Sequence, residues 1–84
     1  MEHTKLEMVN EIDRMKQVIY RTLDFDTRKA IMYRQIELMD ESGINKTKNG
    51  VQRYYLTKNA SKKVVDDYLT TLINAVYDTL GHDL

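Results

Sequence analysis

The feature that most constrains the fold is the scarcity of residues that break helices. The 84 residues include no proline and only three glycines, and these are the two residue types that most disfavour a helix interior. Long uninterrupted helices are therefore favoured over a β protein, whose many turns need Gly and Pro. We expect one small domain over residues 1–84, with a thin stability margin because so short a chain buries little surface.

Apolar residues at helical spacing predict a first helical segment over about residues 4–23. Thr4 and Glu7 form the pattern of a capping box at its start. No glycine or proline interrupts the segment, so it is either one long helix or two short ones that meet between Asn10 and Arg14.

Two further helices are predicted. One covers residues 27–41, with Asp26 as its N-cap and Gly43 placed for the left-handed conformation that ends a helix. The other is a long C-terminal helix over residues 60–80, with Thr57, Asn59 or Ser61 as its N-cap. Its apolar stripe is broad enough to serve both an internal face and an intermolecular one.

A β-hairpin is predicted over residues 44–56. Asn49-Gly50 favours a tight turn with positive φ at both positions, and residues 51–56 are alternating, β-branched and aromatic, as in a return strand. Tyr54 and Tyr55 would then point to opposite faces, one packing on the last helix and the other free to stack or line the surface. The predicted fold is mainly α with one short β-hairpin.

The net charge is zero, but the charges are segregated along the chain. Residues 1–41 hold seven Lys/Arg and nine Asp/Glu, residues 42–65 hold six Lys/Arg and no acid, and residues 66–84 hold four Asp and no cation. A partner would respond to this dipolar pattern rather than to the neutral total.

Two segments carry a family resemblance. IMYRQIELMDESGI (31–44) and KNGVQRYYLT (48–57), followed by a long apolar helix, resemble the winged helix-turn-helix repressors of the PadR and MarR type over about residues 14–80. The resemblance implies two helices ahead of a recognition helix, then a hairpin wing and a C-terminal dimerisation helix. It therefore implies a small DNA-binding transcriptional regulator that acts as a homodimer on double-stranded DNA.

The charges of the helix over 27–41 are consistent with an anionic partner. Arg28 and Lys29 lie in its first turn, and Glu37, Asp40 and Glu41 lie near its end, the reverse of what the helix dipole favours. A docked phosphate would explain this order, and a recognition helix contacts DNA with its N-terminal residues. We expect Arg28, Lys29 and Tyr33 to approach the major groove. The alternative is that Asp24 pairs with Arg28 and the rest is a solvated face.

The hairpin supplies further candidate DNA contacts. Lys46, Lys48 and Arg53 would hold phosphates or reach the minor groove. The alternative is that lysines protect an exposed edge strand against aggregation. Six cations without one acid exceed what edge protection needs, so we favour an anionic partner.

The C-terminal helix supplies the predicted homodimer interface, which consists of Val65, Leu69, Leu72, Val76 and Leu80. The tyrosines within the helical segments are expected in the core or at an interface; these are Tyr20, Tyr33, Tyr68 and Tyr77.

Catalysis has little support in the sequence. There is no cysteine, and His3 and His82 lie far from any partner that would complete a metal site or a triad. We expect no enzyme activity, no metal, no cofactor and no small-molecule substrate. No apolar run approaches the length of a membrane span and there is no secretory signal pattern, so we expect no membrane association and a cytoplasmic location.

A second hypothesis remains open. A non-enzymatic helical adaptor or inhibitor, of the accessory or mobile-element type, would bind a protein partner through the broad last helix and present the basic hairpin to an acidic surface. Titration with DNA distinguishes the two hypotheses.

Overall fold

The protein is mainly helical, as predicted. A computed structural model describes residues 3–44, 51–52 and 54–84, which form three helices and two short strands. Their order is α1 (Lys5–Thr22), α2 (Phe25–Glu41), β1 (Val51–Gln52), β2 (Tyr55–Leu56) and α3 (Lys62–Leu80). The long α3 packs against both α1 and α2.

Helix α1 is a single unbroken helix of 18 residues. The predicted capping box forms, since Thr4 Oγ1 accepts from the Glu7 N–H at 3.1 Å and Glu7 Oε1 accepts from the Thr4 N–H at 3.2 Å. Of the two alternatives left open for this segment, the one-helix form is therefore confirmed. The two separate helices that the winged-helix resemblance implies ahead of the recognition helix are not formed within residues 5–22.

Helix α2 begins two residues earlier than predicted. Asp24, not Asp26, is the N-cap, and its carboxylate accepts from the Thr27 N–H at 3.2 Å. Only Leu23 and Asp24 then separate α1 from α2. The predicted end is confirmed, because Gly43 has a φ of 74° and its N–H bonds to the Asp40 carbonyl at 3.2 Å.

The predicted return strand is wrong. Instead of one strand over residues 51–56, Val51 pairs with Leu56 and Gln52 with Tyr55 in an antiparallel ladder, so the chain reverses direction between Gln52 and Tyr55. Val51 is fully buried in the core, and this burial anchors the short ladder to the helices. The predicted turn at Asn49-Gly50 lies outside the described residues.

Helix α3 begins after Ser61, whose hydroxyl accepts from the Val64 N–H at 3.2 Å, and ends at Gly81 with a φ of 77°. Ser61 is one of the three predicted N-caps. The hydrophobic core is formed mainly by one face of each helix; its members include Ile12, Ile19, Ile31, Met39, Val65, Tyr68, Leu72 and Val76.

This core corrects the predicted dimer interface. Val65, Leu72 and Val76 are 1%, 0% and 1% exposed, because α3 uses them to pack against the other helices of its own chain. Leu69 and Leu80 are partly buried against the same core. The apolar stripe that the sequence assigned to a second copy is therefore largely internal, and the large apolar side chains that α3 exposes are instead Ile73 and Tyr77.

One polar side chain lies inside the core. Gln35 is fully buried, and its Nε2 donates to the Tyr68 carbonyl at 3.1 Å and to the Thr71 hydroxyl at 3.3 Å. Thr71 donates its own hydroxyl hydrogen to the Tyr68 carbonyl at 2.8 Å. These bonds join α2 to α3 at the centre of the molecule.

Candidate nucleic-acid interface

A cleft of about 560 Å³ opens where the second half of α1, the start of α2 and the β-hairpin meet. We call it the cation–aromatic cleft. Its lining contains three cations, Lys16, Arg28 and Lys29, and four aromatic side chains, Tyr20, Phe25, Tyr54 and Tyr55. Ile19 and Met32 complete the lining, and no Asp or Glu is among the described residues that form it.

Arg28 and two rings form one part of the cleft. The guanidinium carbon of Arg28 lies 4.8 Å from the centroid of the Tyr20 ring and 5.9 Å from that of Phe25. Both distances are within the range of a cation–π attraction. The two-residue link between the helices brings Tyr20 near the end of α1 close to Phe25 at the start of α2. Arg28 Nε is buried without a hydrogen-bond partner in the described part of the chain.

Lys16 and the hairpin tyrosines form the other part. The Lys16 ammonium lies 4.4 Å from the Tyr54 ring centroid, 4.8 Å from that of Tyr68 and 5.3 Å from that of Tyr55. Tyr54 and Tyr55 meet edge to face at 5.6 Å. Tyr68 on α3 also donates its hydroxyl hydrogen to the Tyr54 carbonyl, which fixes the hairpin to the core.

Burial changes the acid–base properties of this second part. It lowers the pKa of Lys16 to about 8, against the weaker opposing effect of Asp13 one turn earlier. Burial also raises the pKa of Tyr54 to about 12. At neutral pH the cleft therefore holds an ammonium that is charged but poorly hydrated, beside the neutral phenol of Tyr54.

The start of α2 contributes charges of both signs. The unpaired backbone N–H groups of a helix N-terminus carry partial positive charge, and Arg28 and Lys29 follow as the fourth and fifth residues of the helix, whereas Asp26 lies in its first turn. Asp24 takes one of these N–H groups as the N-cap, and its hydrogen bonds to Thr27 are the main reason its pKa is lowered. The attraction of Arg28 is the smallest contribution to that lowering, so the alternative of an Asp24–Arg28 ion pair finds little support.

The structure brings together the predicted site residues that it describes. Arg28 and Lys29 line the cleft, and the exposed Tyr33 ring lies 5.7 Å from the Lys29 ammonium, one turn further along α2. Lys46, Lys48 and Arg53 lie outside the described residues. Lys63, in the same basic segment, forms an ion pair with Asp67 at 2.8 Å.

Sequence reasoning missed the contribution of α1. Lys16 and Tyr20 lie four residues apart and so share a helix face, but Tyr20 was assigned to the core or an interface by its helical spacing. Tyr20, Tyr33 and Tyr77 are 73%, 51% and 54% exposed, and only Tyr68 of the four helical tyrosines is buried. The sequence does contain a signal for this difference in exposure, which is the position of each tyrosine relative to the apolar stripe of its own helix.

The described residues contain no cluster of three or more His, Cys, Asp or Glu suited to a metal ion. Within the same part of the chain, no helix combines the length and apolar character needed to cross a bilayer. None of the family models, curated proteins or solved structures compared with this chain matches it. The winged-helix resemblance therefore stays a prediction from sequence motifs.

The lowered pKa of Lys16 predicts a pH dependence of stability. The folded chain releases this proton near pH 8 and the unfolded chain near 10.5, so the unfolded state binds more protons between those values. Stability should therefore rise with pH in that window. We expect a gain of roughly 1–2 kcal/mol, below the full linkage value because the ammonium is partly solvated.

Urea unfolding from pH 7 to 9.5, compared with Lys16→Met, measures this gain. The comparison removes the contribution of other lysines and tyrosines that titrate at high pH. Parallel pH profiles for the two proteins would contradict the assignment.

Proposed function

We propose that this protein is a small, non-enzymatic DNA-binding regulator, acting in the cytoplasm, that contacts the phosphate backbone through the cation–aromatic cleft. The observation that carries the proposal is the meeting of Lys16 from α1 with Arg28 and Lys29 from α2 in a cleft whose described lining has no carboxylate. Like charges held together in this way repel one another, and a polyanion relieves the repulsion.

The local electrostatics favour phosphate over a single carboxylate. Arg28 and Lys29 lie close to the N-terminus of α2, whose backbone dipoles add to their attraction for an anion with several acceptor oxygens; Asp24 already caps that end and Asp26 lies in its first turn. Elsewhere the fold neutralises arginines directly, as with Arg34, whose Nε is 2.9 Å from Asp78, and Arg14, whose Nε is 3.0 Å from Glu11. The cleft cations instead face aromatic rings, which leaves their charge available to a ligand.

The proposal does not depend on a winged-helix docking mode. In the winged-helix mode, a recognition helix that follows two other helices would be inserted into the DNA groove. Here α1 is one helix, so the chain would instead present the start of α2 and the hairpin together. A homodimer through α3 would have to use the exposed Ile73 and Tyr77, since the centre of the predicted interface lies in the core.

A DNA titration tests the proposal. A labelled duplex of about 20 base pairs is titrated with protein at several salt concentrations, using the parent and Arg28→Gln/Lys29→Gln. Each lost phosphate contact reduces the slope of log affinity against log salt by about 0.9. The double variant should therefore lose nearly two units of slope and roughly 50-fold in affinity at about 0.1 M salt.

A matched control removes the same charge elsewhere. Arg14→Gln/Arg34→Gln also deletes two cations, but both arginines are already paired with carboxylates. This control should change the salt slope by less than about half a unit. The proposal fails if the parent does not bind the duplex at low salt, or if the two double variants weaken binding equally.

The alternative function, an adaptor or inhibitor of a protein, is favoured by one observation of its own. Tyr and Arg side chains, which dominate the binding energy of many protein interfaces, are concentrated at this cleft. The docking face first expected on α3 is mostly buried, so such a partner would present an acidic surface to the cleft instead. Failure of DNA binding in the titration above would leave this adaptor function as the preferred one.

A further inference from the structure

We propose that the cation–aromatic cleft holds an unpaired nucleobase, so that the protein prefers DNA with locally open base pairs over fully paired DNA. This inference rests on the proposed function and specifies the form of DNA that the same site recognises. It is carried by the aromatic side chains, which phosphate binding alone does not explain.

The exposure of these side chains is the first argument. Tyr20, Phe25 and Tyr55 are 73%, 66% and 66% exposed, although each borders a cleft with an apolar interior. Large aromatic side chains are normally among the most useful core residues of a small domain. Here three of them are kept in solvent around one opening, which indicates a surface that is covered when a ligand is bound.

The form of the ligand follows from what these rings can contact. In a paired duplex the faces of the bases are stacked on each other, and only their edges and the backbone are accessible. An unpaired base exposes its face and stacks on Tyr or Phe with little dependence on sequence. A cleft of about 560 Å³ also lies within the range of sites that enclose small organic groups.

The cations fit the same ligand. The Arg28 guanidinium lies 4.8 and 5.9 Å from the ring centroids of Tyr20 and Phe25, and a planar guanidinium stacks on a base as well as on an aromatic side chain. Lys16 and Lys29 lie in the same lining and would hold the phosphates that flank the base. Alternation of charge and aromatic surface is the usual composition of a groove for single-stranded DNA.

The test compares two duplexes of equal length and charge. One is fully paired, and the other carries a central stretch of about four mismatched, open base pairs. Stacking of one base gives about a 5- to 150-fold gain. We expect the parent to bind the open duplex more tightly than the paired one by a factor in that range. An open duplex with abasic sites in place of the mismatched bases should lose the gain.

Variants locate the stacking surface. Tyr20→Gln, at an exposed helical position in the cleft, should reduce the preference for the open duplex, measured as the ratio of the two affinities, to below about threefold. Tyr77→Gln is the matched control, because Tyr77 is also an exposed helical tyrosine but is not part of the cleft lining. It should leave the ratio of the two affinities unchanged.

The outcomes separate the two proposals. Equal affinity of the parent for paired, open and abasic duplexes would overturn the inference and leave the proposed function standing. A preference that survives Tyr20→Gln and Tyr55→Thr together would also overturn it, because the rings would not be the stacking surface. If none of the duplexes binds at low salt, the proposed function itself fails.

Discussion

Replacing Leu72 by alanine is expected to lower the free energy of unfolding by about 2–5 kcal/mol. Leu72 is fully buried on α3, the helix that packs against both α1 and α2. The substitution removes apolar contacts and leaves a space that a small, close-packed core fills poorly. Since single domains are stable by only about 5–15 kcal/mol, much of the stability would be lost. Urea unfolding monitored by circular dichroism measures the change.

Ile73→Ala is the control, because Ile73 is the next residue on the same helix and is 39% exposed. It should cost less than about 1 kcal/mol. The comparison also tests whether Leu72 belongs to the core or to an interface between copies of the chain. If Leu72 lay on an interface between copies, its substitution would mainly alter the concentration dependence of unfolding. Equal unfolding midpoints for the two variants would contradict the burial of Leu72.

Gln35→Glu is the second substitution with a large expected effect, about 3–5 kcal/mol of destabilisation at pH 8. Gln35 Nε2 donates to the Tyr68 carbonyl and the Thr71 hydroxyl, and its Oε1 is buried without a partner in the described residues. A carboxylate there would place an acceptor oxygen against the Tyr68 carbonyl, and the Thr71 hydroxyl could donate to it only by giving up its own bond to that carbonyl. Desolvation would raise the pKa of the introduced carboxyl group.

The sign of the pH dependence follows from this raised pKa. The unfolded state loses the Glu proton near pH 4.3 and the folded state only at higher pH, so stability falls as pH rises between those two values. The variant should thus be closer to the parent at pH 5 than at pH 8. Gln35→Met, of similar size, should cost about 1–2 kcal/mol at both pH values. A Gln35→Glu effect independent of pH would show that the position is solvated.

The helices could be predicted well because their signals are local. The capping box at Thr4 and Glu7, the cap at Ser61 and the left-handed Gly43 each depend on residues three or four apart. The start of α2 was missed by two residues because both Asp24 and Asp26 are good caps.

The hairpin could not be predicted correctly from local preference. Alternation over residues 51–56 suits a single strand, but burial of Val51 and the bond from the Tyr68 hydroxyl to the Tyr54 carbonyl favour a reversal within that segment. Tertiary contacts commonly override strand propensity in this way. The prediction that one of the two adjacent tyrosines packs on the last helix is confirmed, since the rings of Tyr54 and Tyr68 lie 6.2 Å apart.

The candidate site could be predicted only in part, again because local patterns do not contain tertiary contacts. Arg28 and Lys29 were identifiable because their charges oppose the dipole of their own helix. Lys16 could not be identified from the sequence, because its position beside Tyr54 depends on how the hairpin docks on α1 and α3. The broad apolar stripe of α3 indicated more than one interface, and the structure shows that much of it packs against α1 and α2 of the same chain.

The way in which the hairpin is anchored also links recognition to folding. Tyr54 and Tyr55 border the cleft only while Tyr68 and Val51 hold their segment against the helices. The unfolded chain therefore has no counterpart of this cleft, and any molecule that occupies it binds the native state alone. Binding in the cleft therefore stabilises the folded state, and the melting temperature rises with ligand concentration. A protein of this size gains in that way a reserve of stability that its own interior is too small to provide.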